Sequence, residues 1–340
     1  MAKRVTVYEI ASACGVSQPT VSRILGGGAA AGRHSVDTRK LVLDTAARMG
    51  YRPNAAARAI GRNHFGAIGL LLSSRPRLSN LPQPFLESVL EAAAEDDLNL
   101  ALLKYDDATL SDGARVPRLL RESSTDGLLI DYTHDIPKPL IDIVDRQSIP
   151  VIWLNSKQPA DCIRPDDVDA GFRATQLLLD AGHRKITFID LHHGESIEGR
   201  HFSVGDRREG YSRAMTQAGL QPRLLHAGAE DTVYKTKRTR FCIDVLSRSD
   251  RPTAVVTYGS PLHVVSATLS LGMEVPSDLA FVSIGESLNT LLDVDFTTLA
   301  TPHRQFGRAA VDMLMTKVKR PNQRLEPRLV KMDLIIGGTA

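Results

Sequence analysis

Residues 6–26 read TVYEIASACGVSQPTVSRILG, and this stretch decides how the chain begins to fold. Thr6 and Glu9 form a capping box: the Thr6 hydroxyl can accept the Glu9 N–H, and the Glu9 side chain can return to the Thr6 N–H. The box predicts a short helix from Val7 to Ala13 with Ile10 and Ala11 facing inward. Gly15 permits the tight turn that follows. Ser17 is a good N-cap for a second helix, Gln18 to Leu25, and Pro19 falls in its first turn, where no helical N–H is lost. Val21, Ile24 and Leu25 give that helix one apolar side, and Gly26 ends it. Two helices joined by so few residues have the pattern of a helix-turn-helix. In that motif the N-terminal part of the second helix enters the major groove, and here it offers Ser17, Gln18, Thr20, Ser22 and Arg23. Any helical hairpin has the same outline.

Charge adds to the reading. Residues 1–64 carry ten Lys or Arg and three Asp or Glu, a net +7, while the remaining 32 basic and 36 acidic residues leave −4. A basic segment joined to a mildly acidic body suggests a polyanion-binding head, with a solvated basic surface as the alternative. A third helix is expected from Ser35 to Met49, with Val42, Thr45, Ala46 and Met49 at helical spacing and Gly50 closing it. Tyr51-Arg-Pro53-Asn54 breaks the chain, and Asn54 can cap a short helix from Ala55 to Ile60.

From Phe65 the pattern changes to short apolar runs alternating with helical segments. The runs 67–72, 100–103, 127–130, 151–154, 186–189, 254–256 and 280–284 read as strands. Helices are expected at 84–97, 139–147, 171–181, 208–218, 262–271 and 305–319. Such alternation implies parallel sheets covered on both faces, and 340 residues suit two of them. No apolar run reaches the ~18 residues of a membrane span. The N-terminal residues show no signal-peptide stretch, and Cys14, Cys162 and Cys242 lack metal or disulfide spacing, so a cytoplasmic protein without membrane contact is expected.

Several blocks resemble the LacI family of transcriptional regulators, the lactose-repressor type. They are Thr6-Val-Tyr8-Glu9-Ile10-Ala11, Gly15-Val16-Ser17, Thr20-Val21-Ser22-Arg23 and Tyr51-Arg-Pro53-Asn54-Ala-Ala-Ala57. In the core, the resemblance rests on Asp126-Gly127-Leu-Leu-Ile130, Ala181-Gly182-His183-Arg184, Arg207-Arg-Glu-Gly210-Tyr211 and Thr297-Thr298-Leu299 with Pro302. It implies an all-α helix-turn-helix head (1–50), a hinge helix or linker (51–64) and an α/β core (65–340). The core would comprise two doubly wound parallel-sheet subdomains like those of periplasmic binding proteins. The N-subdomain would take about 65–162 and 297–325, and the C-subdomain about 163–296 and 326–340, with crossings near 162, 296 and 325.

By this resemblance Ser17, Gln18 and Pro19 read bases, with Arg23 close to the groove, while Thr6, Tyr8, Thr20, Ser22 and Asn54 hold phosphates. Val7, Tyr51 and Ala57 complete the implied DNA-contacting set, and Ile60 takes the minor-groove wedge position where relatives usually have Leu. The loop Gly26–Gly32 is longer than usual in the family, by about three residues, and its composition suits a flexible linker. The expected partners are a pseudo-palindromic operator, a second copy of the chain and a small-molecule effector, a sugar or sugar derivative. A dimer is expected because no heptad tail follows Ile336. Its surface would lie near Pro84–Ala94 and Leu262–Leu271. Repression is the commoner mode in such families.

Arg207 matches the arginine that contacts effector in relatives; a surface salt bridge is its alternative role. Asp169, with Asp166 and Asp167, stands at the entry to the second subdomain, as a ligand contact or as a helix N-terminal carboxylate. Tyr258 and Trp153 offer a stacking face or plain packing. Gly259-Ser260 and Gly285-Glu286 replace the Asn-Asp and Asp-Asp or Asp-Asn pairs of relatives, with Glu286 as the remaining candidate. These departures leave open an unusual ligand or a regulator without effector control. A sugar-binding protein without a DNA role also fits the core, but the basic head weighs against it. His192-His193 and Glu195 are expected in a polar loop rather than at a metal, and no cofactor, Gly-rich phosphate loop or catalytic constellation is expected.

Overall fold

The structure, a computed structural model, describes residues 5–26, 33–52, 64–75, 79–105, 124–132, 135–191, 201–227, 235–286 and 296–340. The chain divides into two units, Met1–Ala67 with Ser123–Asp126, and Ile68–Glu122 with Gly127–Ala340.

The first unit holds α1 (Val7–Cys14), α2 (Gln18–Gly26) and α3 (Val36–Arg48). The capping box forms as the sequence demands. The Thr6 Oγ1 accepts from the Glu9 N–H at 3.3 Å, and the Glu9 carboxylate accepts from the Thr6 N–H at 2.8 Å. Gly15 stops α1 in the left-handed region at φ 65°. Ser35 caps α3 by accepting the Thr38 N–H. Ile10, Ala11, Val21, Ile24, Val42 and Ala46 bury into one core shared by the three helices.

In the second unit, one sheet contains β1 (Ala67–Ser73), β2 (Asn99–Tyr105), β3 (Gly127–Asp131), β4 (Val151–Leu154), β5 (Cys162–Pro165) and β11 (Arg328–Val330), in the order β11-β5-β4-β3-β1-β2. The other contains β6 (Ile186–Asp190), β7 (Arg223–His226), β8 (Ala254–Tyr258), β9 (Ala280–Gly285), β10 (Thr298–Ala300) and β12 (Asp333–Ile335), in the order β12-β10-β9-β8-β6-β7. Neighbours pair in parallel through both sheets wherever register is defined, except that β12 runs antiparallel to β10.

Side-chain alternation explains why the central strands are apolar on both faces. On the first sheet, Ile68, Leu70, Leu129 and Ile152 face α4 (Gln83–Glu95) and α10 (His303–Lys319). Leu71, Leu128, Ile130 and Trp153 face α5 (Lys138–Gln147). The second sheet is covered by α6 (Asp167–Asp180) and α7 (Phe202–Gln217) on one face. On its other face lie α8 (Lys235–Leu246) and α9 (Leu262–Ser270). No helix among the described residues is long and apolar enough to cross a membrane.

The crossings between sheets fall later than the sequence suggests. The chain passes over at Asp166, at Thr301–Pro302 and between Val330 and Asp333, rather than near 162, 296 and 325. β5 and β11 therefore belong to the first sheet and β10 to the second. Each is three or four residues long, too short to show a period, and β5 and β11 each carry an arginine.

Candidate nucleic-acid interface and ligand cleft

In the head, burial sorts α2 into two faces. Val21 and Ile24 turn inward, while Ser17, Gln18, Pro19, Ser22 and Arg23 are exposed together. Thr20 is half-buried, and its hydroxyl lies 2.9 Å from that of Ser17. Thr6 and Tyr8 are also exposed, Tyr8 to 67%. Such a large exposed ring on a small head has no packing role and is available to a partner. Val7 and Tyr51 are half-buried and pack against the head core. Asn54, Ala57 and Ile60, with the hinge helix, lie outside the described residues.

In the second unit a cavity of about 510 Å³ opens between the two sheets. It lies at the carboxyl ends of β3, β4, β5, β8 and β9, where α/β sheets generally bind ligands. The first sheet's side supplies Asn80, Pro82, Phe85, Asp131, Asn155, His303 and Phe306. Facing them are Asp167, His201, Ser203, Arg207, Tyr258, Ser260 and Glu286.

Arg207 is held by helix packing. A Cβ at Gly171 would sit 2.1 Å from the Arg207 carbonyl oxygen, and one at Gly210 would sit 2.0 Å from that of Val168. Only hydrogen at both positions lets α6 and α7 approach this closely, which sets Arg207 beside Asp167. Arg207 Nε donates to Asp167 Oδ1 at 2.7 Å, and both side chains are almost fully buried. Burial alone would lower the arginine's pKa, but Asp167, together with Tyr258 and Glu286, more than offsets this and keeps it charged. Burial raises the Asp167 pKa, with Arg207 acting against it. Asp167 Oδ2 is buried without a hydrogen-bond partner, an acceptor the cavity offers to a ligand.

The guanidinium of Arg207 lies 4.3 Å from the centroid of the Tyr258 ring, so one face of that ring is already covered by a cation. Glu286 binds His303 Nε2 at 2.7 Å, and His201 Nε2 lies 3.2 Å from the Asn155 carbonyl oxygen. Lys157 reaches Asp206 at 2.7 Å. Each of these contacts joins elements on opposite sides of the cleft.

Two expected cleft residues lie elsewhere. Trp153 points into the core between the first sheet and α5, one residue out of phase with Leu154, which does line the cavity. Asp169 lies two positions after Asp167, roughly 200° around the helix, and turns away from the cavity. It bonds Arg173 at 3.3 Å, and its N–H is capped by Asp166, as a helix N-terminal carboxylate.

The sequence reading missed Asp131, although it closes the run beginning at Gly127 and strand carboxyl ends are where ligand contacts gather. Its Oδ2 accepts the Asn80 N–H at 2.9 Å. Burial raises its pKa to about 7, with the Asn80 bond acting against the shift. The folded protein then holds a proton on Asp131 that the unfolded chain releases near pH 4. This group's contribution to stability is complete below about pH 4 and lost as pH rises through 7. Asp131→Asn cannot ionise, so denaturant titrations from pH 4 to 8 are expected to show wild type losing stability relative to the variant. Parallel curves would contradict the assignment.

Residues 6–54 match the family of bacterial regulatory proteins of lacI type, and residues 175–340 match the periplasmic binding protein-like domain. Full-length relatives include catabolite control protein A of Priestia megaterium, 26% identical over 91% of each chain. The transcriptional repressor PurR of Photobacterium profundum is 26% identical over 96% of each. The ribose operon repressor of Haemophilus influenzae is 27% identical over 97% of this chain and 98% of that one. Among solved structures, the Lac repressor dimer bound to operator and an anti-inducer superposes with a TM-score of 0.78 at 20% identity, covering 99% of each chain. That likeness concerns the fold.

Proposed function

We propose that this chain, a member of the LacI family of bacterial regulatory proteins and a DNA-binding transcription regulator, represses transcription from a pseudo-palindromic operator as a cytoplasmic homodimer. A small molecule in the cleft, a sugar or sugar derivative, shifts its operator affinity. The observation that carries the reading is the exposed polar face of α2, Ser17, Gln18, Ser22 and Arg23, in an N-terminal segment, residues 1–64, with a net charge of +7. Side chains of this kind reach base edges and phosphates in the major groove, while the charge supplies sequence-independent attraction. The exposed apolar Leu90 on α4 and Leu262 and Leu269 on α9 support a dimer surface.

The cavity supports retained ligand control. It presents the Arg207–Asp167 pair and Asp131 as polar groups, with Phe85 and Phe306, whose ring centroids are 5.6 Å apart, as an apolar wall. A ligand that binds one arrangement of the two sheets better than another changes DNA affinity by that difference.

Selection from a pool of random duplexes tests the reading. Wild type is expected to enrich a palindrome, and Gln18→Ala to relax it at one position per half-site, a loss of about 1–3 kcal/mol there. Unchanged selectivity in the variant would remove Gln18 from base reading. Absence of any enriched palindrome in wild type would remove the operator.

A further inference from the structure

A single carboxylate gathers the chain as it enters β1. Asp126 Oδ1 accepts the Phe65 N–H at 2.6 Å. Its Oδ2 accepts those of Gly66 at 2.9 Å and Ala67 at 3.3 Å, and lies 2.5 Å from His64 Nδ1. The Asp126 N–H donates to the Ala67 carbonyl at 2.7 Å. Gly66, at φ +67°, bends the backbone so that these successive N–H groups converge on one anion. The Asp126 side chain is only 6% exposed, whereas His64 is 48% exposed.

The ladder between β1 and β3 begins at Ile68 and Gly127 and needs no side chain. What Asp126 adds is a hold on residues 64–66, the last part of the segment that joins the helix-turn-helix to β1.

We propose that Asp126 is a positioning residue for operator recognition, fixing the point from which the head-bearing segment departs. The proposal rests on the operator reading above. Specific binding requires two heads at one half-site spacing, so slack in the connection lowers the effective concentration of the second head. Non-specific binding depends on phosphate neutralisation by the basic head and needs no fixed spacing.

The test uses the full chain carrying Asp126→Asn, whose amide NH2 opposes the converging N–H groups. Binding is measured on the selected palindrome and on a scrambled duplex of equal length, at the same salt, with circular dichroism to confirm folding. Palindrome affinity is expected to fall about tenfold or more. Affinity for the scrambled duplex and its salt slope are expected to hold within about twofold. Equal losses on both duplexes, or none on either, would overturn the proposal. Should the Asn variant not fold, His64→Ala removes one exposed arm of the clamp, and a loss confined to the palindrome is again expected; no selective loss would overturn it. A wild type that fails to distinguish the two duplexes would instead overturn the operator reading.

Discussion

Arg207→Ala is expected to destabilise the second unit by about 3–5 kcal/mol and to abolish ligand binding in the cleft. The guanidinium is buried, compensates Asp167 at 2.7 Å and stands over the Tyr258 ring. Truncation leaves the Asp167 carboxylate buried without its cation, and burial already raises the pKa of that group. A double-mutant cycle separates this cost from simple loss of packing. In the cycle of Arg207→Met, Asp167→Leu and the two together, the double variant is expected to be milder than Arg207→Met alone, because no charge remains stranded. Denaturant midpoints read the cycle. Additive losses would show that the pair is not coupled.

Gly210→Ala is expected to cost about 3 kcal/mol or more, although it adds only one methyl group. That carbon would lie 2.0 Å from the Val168 carbonyl oxygen and 2.6 Å from the Phe172 amide nitrogen, both backbone atoms that no rotamer change can move. Relief requires α6 and α7 to separate, which pulls Arg207 away from Asp167. The variant is therefore expected to lose cleft binding along with stability. At Gly182, where a Cβ meets nothing within 4 Å, alanine is expected to cost only the strain of its φ of 92°, about 1 kcal/mol. Equal losses at Gly210 and Gly182 in chemical denaturation would contradict the close-packing argument.

The head was legible because its signals are local. Thr6 with Glu9, Gly15, and Ser17 before Gln18 each act within a turn of chain, and each lies where the sequence puts it. The central strands were legible because a strand covered on both faces reads as an unbroken apolar run, as in Val151–Leu154 and Ala280–Gly285. β5, β10 and β11 were not legible, since their pairing is fixed by distant partners; Arg328 aligns with Ile163 across more than half the core. In the cleft, Arg207 was found through resemblance to a family. Of the two roles the sequence left open, Trp153 takes plain packing through strand parity and Asp169 the helix N-terminal carboxylate through helix phase. Asp131, His201 and His303 enter the cavity through tertiary packing that residue spacing does not encode.

The central claim is that the head recognises a DNA sequence rather than charge alone. Its most direct test is competition at physiological salt between the selected palindrome and a scrambled duplex for the full chain. The account predicts that the palindrome wins by at least about 10³-fold. Equal binding to both duplexes, with the same steep salt dependence, would contradict it.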